Sequence, residues 1–146
     1  MHRRAGRCTM RAMAKTDSVM MHVPAEYSYL RVLRLTVSSL AADVNFDIDE
    51  IESARAAVDE LASILIGAAD VDGGLAVVIR RHPDRLDVEG SVTAARPASL
   101  PDELVRSVLN ASTTEWSCGH QAEDVRFSFT CERGHVGRST RVVDHD

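Results

Sequence analysis

The run "NFDIDEIESARAAVDELASILIGAADVDGGLAVVIRR", residues 45–81, decides the fold, because it holds a helix start, a helix stop and a strand. Asp47 stands where an N-cap is expected and Glu50 follows three residues later, the spacing of a capping box with carboxylates at the positive end of the helix dipole. Ile48, Ile51, Val58, Leu61 and Leu65 recur at helical steps and form the expected core stripe. Gly67 and "DVDGG" (70–74) are expected to stop the helix, after which "LAVVIRR" (75–81) reads as a strand. Inside this small, aliphatic helix stand two adjacent carboxylates, Asp59 and Glu60. Asp59 lies four residues from Arg55 and can pair with it, while Glu60 either edges the solvent or carries chemistry.

The flanks extend the pattern. "SVMMHV" (18–23), closed by Pro24, reads as a strand. In the following helix Tyr27, Leu30, Leu33, Val37, Leu40 and Ala41 make the inward face, leaving Arg31, Arg34 and Ser38 on a basic flank open to a partner. Downstream of 81, "RLDVEGSVTA" (85–94) alternates Leu86, Val88 and Val92 against Asp87 and Glu89, so it pairs with 75–81 as a hairpin with one solvated face. Ser99 is expected to cap a short helix with Pro101 near its first turn and Leu104, Val105, Val108 and Leu109 inward. "TTEWSC" and "VRFSFTC" close the domain as a second hairpin around "GHQAED". The order strand, helix, helix, hairpin, helix, hairpin gives an α+β fold, a two-layer sandwich whose mixed, mainly antiparallel sheet is covered on one face by about three helices.

A chain of 146 residues accommodates one such domain. The basic segment 1–17 has no apolar periodicity and is expected to be untethered, the domain occupies 18–131, and 132–146 is read as a loose tail. Five of the 17 basic residues, Arg3, Arg4, Arg7, Arg11 and Lys15, lie in the first fifteen positions, leaving twelve against 22 acidic ones. An acidic body of this kind argues against direct nucleic-acid binding. The head has no apolar h-region of a signal peptide, and no run is long and apolar enough for a membrane span. Three cysteines make no disulfide framework, so a cytoplasmic location is expected.

The element order, with "VPAEYSYLRVLRLTVSSLA" (23–41) leading into "IESARAAVDELASILIGAA" (51–69), resembles the anti-sigma-factor serine kinases of the RsbW and SpoIIAB type, within the histidine-kinase and Hsp90-like ATPases. The resemblance covers roughly 18–131. It implies a general-base Glu on the second helix with a magnesium-binding Asn four residues on, so that both face the nucleotide phosphates. Glu60 occupies the base position, but the Asn position is Ile64, which has no lone pair for a hard cation, and Ser63 points about a hundred degrees away. The family's Asp-x-Gly-x-Gly turn corresponds to "TAARPAS" (93–99), without Asp or Gly. Its glycine-rich phosphate run corresponds to "SLPDELVRSVL", where Leu104, Val105 and Arg106 fit while Ser99 and Pro101 replace glycines, and Asp102 with Glu103 would repel phosphate. The resemblance therefore implies a regulatory protein that grips a sigma factor or an anti-anti-sigma antagonist through the first helix, by Arg34 or the nearby Arg31, with ATP binding weakened or lost. No cofactor is expected; ATP and Mg follow from the resemblance alone, and a homodimer is left open. The alternatives are an active ATP-dependent serine kinase and a non-sigma interaction module on the same fold.

Cys118, His120, Cys131 and His135 are zinc-ligand types, but their spacing lacks a tight Cys-x2-Cys clip and no metal is assigned to them. Neither cysteine has a recognisable activating neighbour for nucleophilic catalysis. Trp116 is expected in the core, and Gly73-Gly74 is a turn rather than a phosphate loop.

Overall fold

The computed structural model describes residues 17–134. The first strand, β1 (Asp17–Pro24), leads through a single 3-10 turn (Tyr27–Tyr29) into α1 (Leu30–Asp43), then α2 (Ile48–Ala68), the hairpin β2 (Gly74–Arg81) and β3 (Arg85–Thr93), α3 (Glu103–Ser112), and the hairpin β4 (Glu115–Gln121) and β5 (Asp124–Glu132). The strands form one five-stranded sheet in the order β1-β2-β3-β5-β4, and each pairing in it is antiparallel. The α+β sandwich is as expected, and the parallel component implied by "mixed" is replaced by antiparallel pairing throughout the described sheet.

Strand alternation fixes which face is covered. Leu75, Val77, Ile79, Leu86, Val88, Val92, Val125, Phe127 and Phe129 are buried together with Leu33, Val37, Val58, Leu61 and Leu65 of the helices. The intervening strand residues form a helix-free face. Alanines at 54, 57 and 62 on α2 are fully buried and lack bulk, which lets α2 approach both α1 and the sheet closely.

The α1–α2 corner follows from local chemistry. Asn45 takes a left-handed φ of 64°, with Asn45 N–H donating to Ala42 O and Phe46 N–H to Ala41 O, a Schellman ending in which Asn serves where Gly is commoner. Two residues later the expected capping box is present: Glu50 N–H donates to Asp47 Oδ1 at 2.8 Å and Asp47 N–H to Glu50 Oε1 at 2.7 Å. Glu50 is buried, and its second oxygen accepts from Gly134 N–H. Arg133 meanwhile reaches Val44 O at 3.3 Å and its own N–H donates to Asp84 O. Of the tail read from sequence as loose from 132 onward, Glu132 closes β5 and residues 133–134 are fastened to the α1–α2 corner; the rest lies outside the described residues. Glu50→Ala removes the acceptors of two part-buried amides, so a loss of about 1–3 kcal/mol is expected in a urea titration, with Glu50→Gln losing less.

Three inward assignments change. Tyr27 is 60% exposed, because the 3-10 turn ahead of α1 advances in steps of three and throws it out of phase with Leu33 and Val37. Ile48 is 78% exposed, since it opens the first turn of α2 before the helix crosses the sheet. Leu104 is 74% exposed and α3 is capped by Asp102, whose carboxylate accepts from Val105 N–H at 2.9 Å, not by Ser99. Placing the cap three residues later rotates the buried stripe onto Leu109 and Ser112, with Val105 and Val108 only half-buried. Gly67 does not stop α2; the helix runs through it to Ala68 and Ala69 turns extended. The second hairpin closes through Ala122-Glu123, with Ala122 at a φ of 56°, a tighter turn than "GHQAED" suggested.

Candidate functional site

Glu60 and Ile64 sit one turn apart on α2 and Gly67 a further turn along, so they share a helical face. Glu60 is half-buried and makes no ion pair or side-chain hydrogen bond to another described residue. Ile64 is half-buried and packs against the core. Ser63, the nearest hydroxyl, donates to Asp59 O at 2.7 Å and is engaged within its own helix. The far end of this face is closed by "AAR" (94–96). Ala94 bridges to Ala69, Ala95 N–H donates to Ala68 O at 2.8 Å, and the Arg96 guanidinium reaches Gly67 O at 2.7 Å. The cation thus serves the negative end of the α2 dipole. Where the family resemblance places its Asp-x-Gly-x-Gly turn, the backbone is a C-terminal cap for α2.

The phosphate position is altered in the same way. Ser99 is exposed, Pro101 precedes the cap, and the Asp102 carboxylate occupies the amide at the start of α3 that would otherwise face an anion. Arg106, one turn in, stacks on Trp116 with its guanidinium carbon 5.2 Å from the ring centre, while Trp116 Nε1–H donates to Asn110 Oδ1. Taken together, an aliphatic residue at the metal-ligand position, a capped helix start and a docked 94–96 segment do not fit a magnesium-bound nucleotide.

The carboxylate next to Glu60 has a different partner from the one its spacing suggested. Arg55 pairs with Glu52 at 2.7 Å, and Asp59 instead accepts from Arg34 Nη1 across the α1–α2 interface at 2.5 Å. Arg34 is therefore tied in place, whereas Arg31 is exposed. Beside Arg31 lie Val32, 36% exposed, and Leu35, 69% exposed. At i, i+1 and i+4 these three form one outward patch on α1, a guanidinium set in an apolar surround. Sequence reading found the arginines but not the patch. Leu35 was the available signal, a large aliphatic one residue off the buried stripe.

Cys118 and Cys131 do not come together in one site. Cys118 sits opposite Phe127, and Cys131 lies four residues further along β5, opposite Leu86 on the other side. Four strand residues separate them by roughly 13 Å, too far to share one ion. His120 Nε2 accepts from Ala98 N–H, and His135 lies outside the described residues. No group of three or more metal-capable side chains converges among the described residues. Burial pushes the Cys118 thiol up to about 11 and that of Cys131 up to about 12, opposite to an activated nucleophile. Trp116 is in the core as expected. Among the described residues no helix is long and apolar enough to cross a membrane.

No family model matches the chain. It is similar to the serine-protein kinase RsbW of Bacillus cereus (strain Q1), 30% identical over 79 residues, which cover 52% of this chain and 49% of that protein. It is likewise similar to RsbW of Bacillus subtilis (strain 168), 33% identical over 75 residues, 49% of this chain and 47% of the relative. The chain thus spans about half the length of the curated relatives it matches. Among solved structures, the RsbU and RsbW domains of Rv1364c from Mycobacterium tuberculosis superpose with a TM-score of 0.63 at 16% identity, over 88% of this chain and 35% of that one. That likeness shows the fold. With the sequence matches, it bears out the resemblance to the RsbW type.

Proposed function

We propose that this chain, an RsbW-like fold with an altered nucleotide face, acts as a regulatory binding protein. It holds a sigma factor or an anti-anti-sigma antagonist on the outer face of α1, with ATP binding weakened or lost. One observation carries the reading: α1 presents Arg31 in an exposed apolar surround of Val32 and Leu35, while the neighbouring α2 face offers no oxygen at Ile64. Arginine is, with tryptophan and tyrosine, among the residues enriched at the energetic centres of protein interfaces. In this arrangement Arg31 contacts an acidic group of the partner, and Arg34 acts from behind by fixing the helix pair through Asp59. Neither role requires phosphoryl transfer. A cytoplasmic setting and direct contact with protein rather than nucleic acid go with the reading.

The rival reading is an active serine kinase with Glu60 as base. Thermal unfolding with and without millimolar Mg-ATP separates the two. A kinase site at a hundredfold excess over its Kd would gain about 2.7 kcal/mol, an increase of several degrees in Tm. The expected result is no increase.

A further inference from the structure

We infer that the surface holding the protein partner continues past α1, across Tyr27, onto Arg96 at the end of α2, and that this extension takes an acidic segment of the partner. The inference rests on the proposed function and adds two contact residues to it. The geometry runs through Gly67. A Cβ built there would stand 3.3 Å from the Tyr27 hydroxyl oxygen, so the phenol lies over the α2 backbone at this point. The same residue's carbonyl accepts from the Arg96 guanidinium at 2.7 Å. Tyr27 and Arg96, which belong to distant segments, therefore meet at one exposed position of α2. Tyr27 is 60% exposed, and it stands one turn ahead of Arg31, which stands one turn ahead of Leu35. One strip thus leads from Leu35 through Arg31 and Tyr27 to Arg96.

Charge selects the occupant. Arg34, Arg55, Arg80, Arg81, Arg85 and Arg126 each meet a carboxylate. Arg31 and Arg96 are exposed and meet none among the described residues. In a chain with 22 acidic residues against 17 basic ones, this strip is a positive surface without internal compensation. Carboxylates of a partner complement it, and they gain most where an aromatic neighbour excludes water from the contact. Tyr27 supplies that neighbour, an apolar ring whose hydroxyl makes no hydrogen bond to another described residue and is open to the partner. The segment 94–96 stands where the resemblance places an Asp-x-Gly-x-Gly turn. Here it holds a guanidinium group at the rim of a protein-binding surface, with its backbone fixed by Ala68 O and its side chain by Gly67 O.

The test is a titration of the full chain against the host's sigma factors and anti-anti-sigma proteins, each purified, with Leu35→Asp measured beside Tyr27→Ala and Arg96→Glu. Tyr27→Ala and Arg96→Glu are each expected to raise Kd at least about fivefold, the first by removing an aromatic anchor and the second by setting a carboxylate against the partner's own. The Kd of Arg96→Glu is also expected to rise less steeply with salt than that of the unaltered chain, a change that a merely structural role would not produce. Both positions are exposed; if Arg96→Glu lowers the urea midpoint, Arg96→Gln, which keeps an N–H donor for Gly67 O, takes its place. A smaller rise in either variant, with Leu35→Asp weakening binding, overturns the inference and leaves the proposed function standing. A Kd unchanged in all three variants, or no protein bound, overturns both.

Discussion

Gly90→Ala is expected to cost about 1–3 kcal/mol of unfolding free energy, read as a lower urea midpoint at unchanged slope. Gly90 pairs directly with Phe127 on the core face of β3 and β5. A Cβ at that position would fall on the Phe127 ring, 2.7 Å from Cζ and closer still to Cε2. The ring has little room to yield: Phe127 is 2% exposed and stacks on Phe129, with centroids 6.2 Å apart and planes 19° from parallel. An aromatic lying over a strand glycine repays the missing side chain, so the two positions form a matched pair. Trimming the ring should then relieve the clash. Gly90→Ala combined with Phe127→Leu is expected to be more stable than the sum of the single costs, a coupling of at least about 0.5 kcal/mol. Simple additivity would mean that the close approach is absent.

Leu35→Asp is the second large effect. Leu35 is mostly exposed, so a carboxylate there should change unfolding free energy by no more than about 0.5 kcal/mol. Partner binding should weaken at least tenfold, about 1.4 kcal/mol, because the substitution removes apolar contact and sets a negative charge beside Arg31. Arg31→Ala is expected to fall in the same range. Arg34→Ala should do less by direct contact, since its guanidinium is committed to Asp59 in a half-exposed pair of the kind worth about 0–1 kcal/mol. A profile with the opposite order, Arg34 dominant and Leu35 silent, would move the contact from the outer face of α1 to the α1–α2 seam.

How legible was all this in the sequence? Both hairpins, the Asp47–Glu50 capping box and the antiparallel alternation at Leu86, Val88 and Val92 could be read directly, because each rests on local chemistry with a fixed period. Tyr27, Ile48 and Leu104 were misassigned for a shared reason: apolar character sets the period of a stripe but not the residue at which the helix starts. A 3-10 turn before α1, a first turn of α2 ahead of the sheet and a cap at Asp102 in place of Ser99 each shifted the phase. Asp59 shows a second limit. Spacing along one helix offers Arg55, while the third dimension supplies Arg34, 25 residues away, and no local rule ranks the two. The same holds for Arg96 on Gly67 and for Gly134 on Glu50, contacts made by the ends of elements distant in the chain. The candidate nucleotide positions were legible as departures from a pattern. That the 94–96 segment is docked onto the end of α2 was not.

The carboxylate pair inside α2 thus divides in two. Asp59 is a structural partner that fixes α1, and Glu60 stands beside an aliphatic Ile64 where magnesium chemistry would need an oxygen. The proposed binding of a protein by α1 needs no help from a nucleotide. Its most direct test is the Kd of this chain for its host's sigma factors and anti-anti-sigma proteins, measured by titration with and without millimolar Mg-ATP. The predicted result is binding to one of them with the same Kd in both conditions. Binding that appears only with Mg-ATP, or no binding to any of them in either condition, would contradict it.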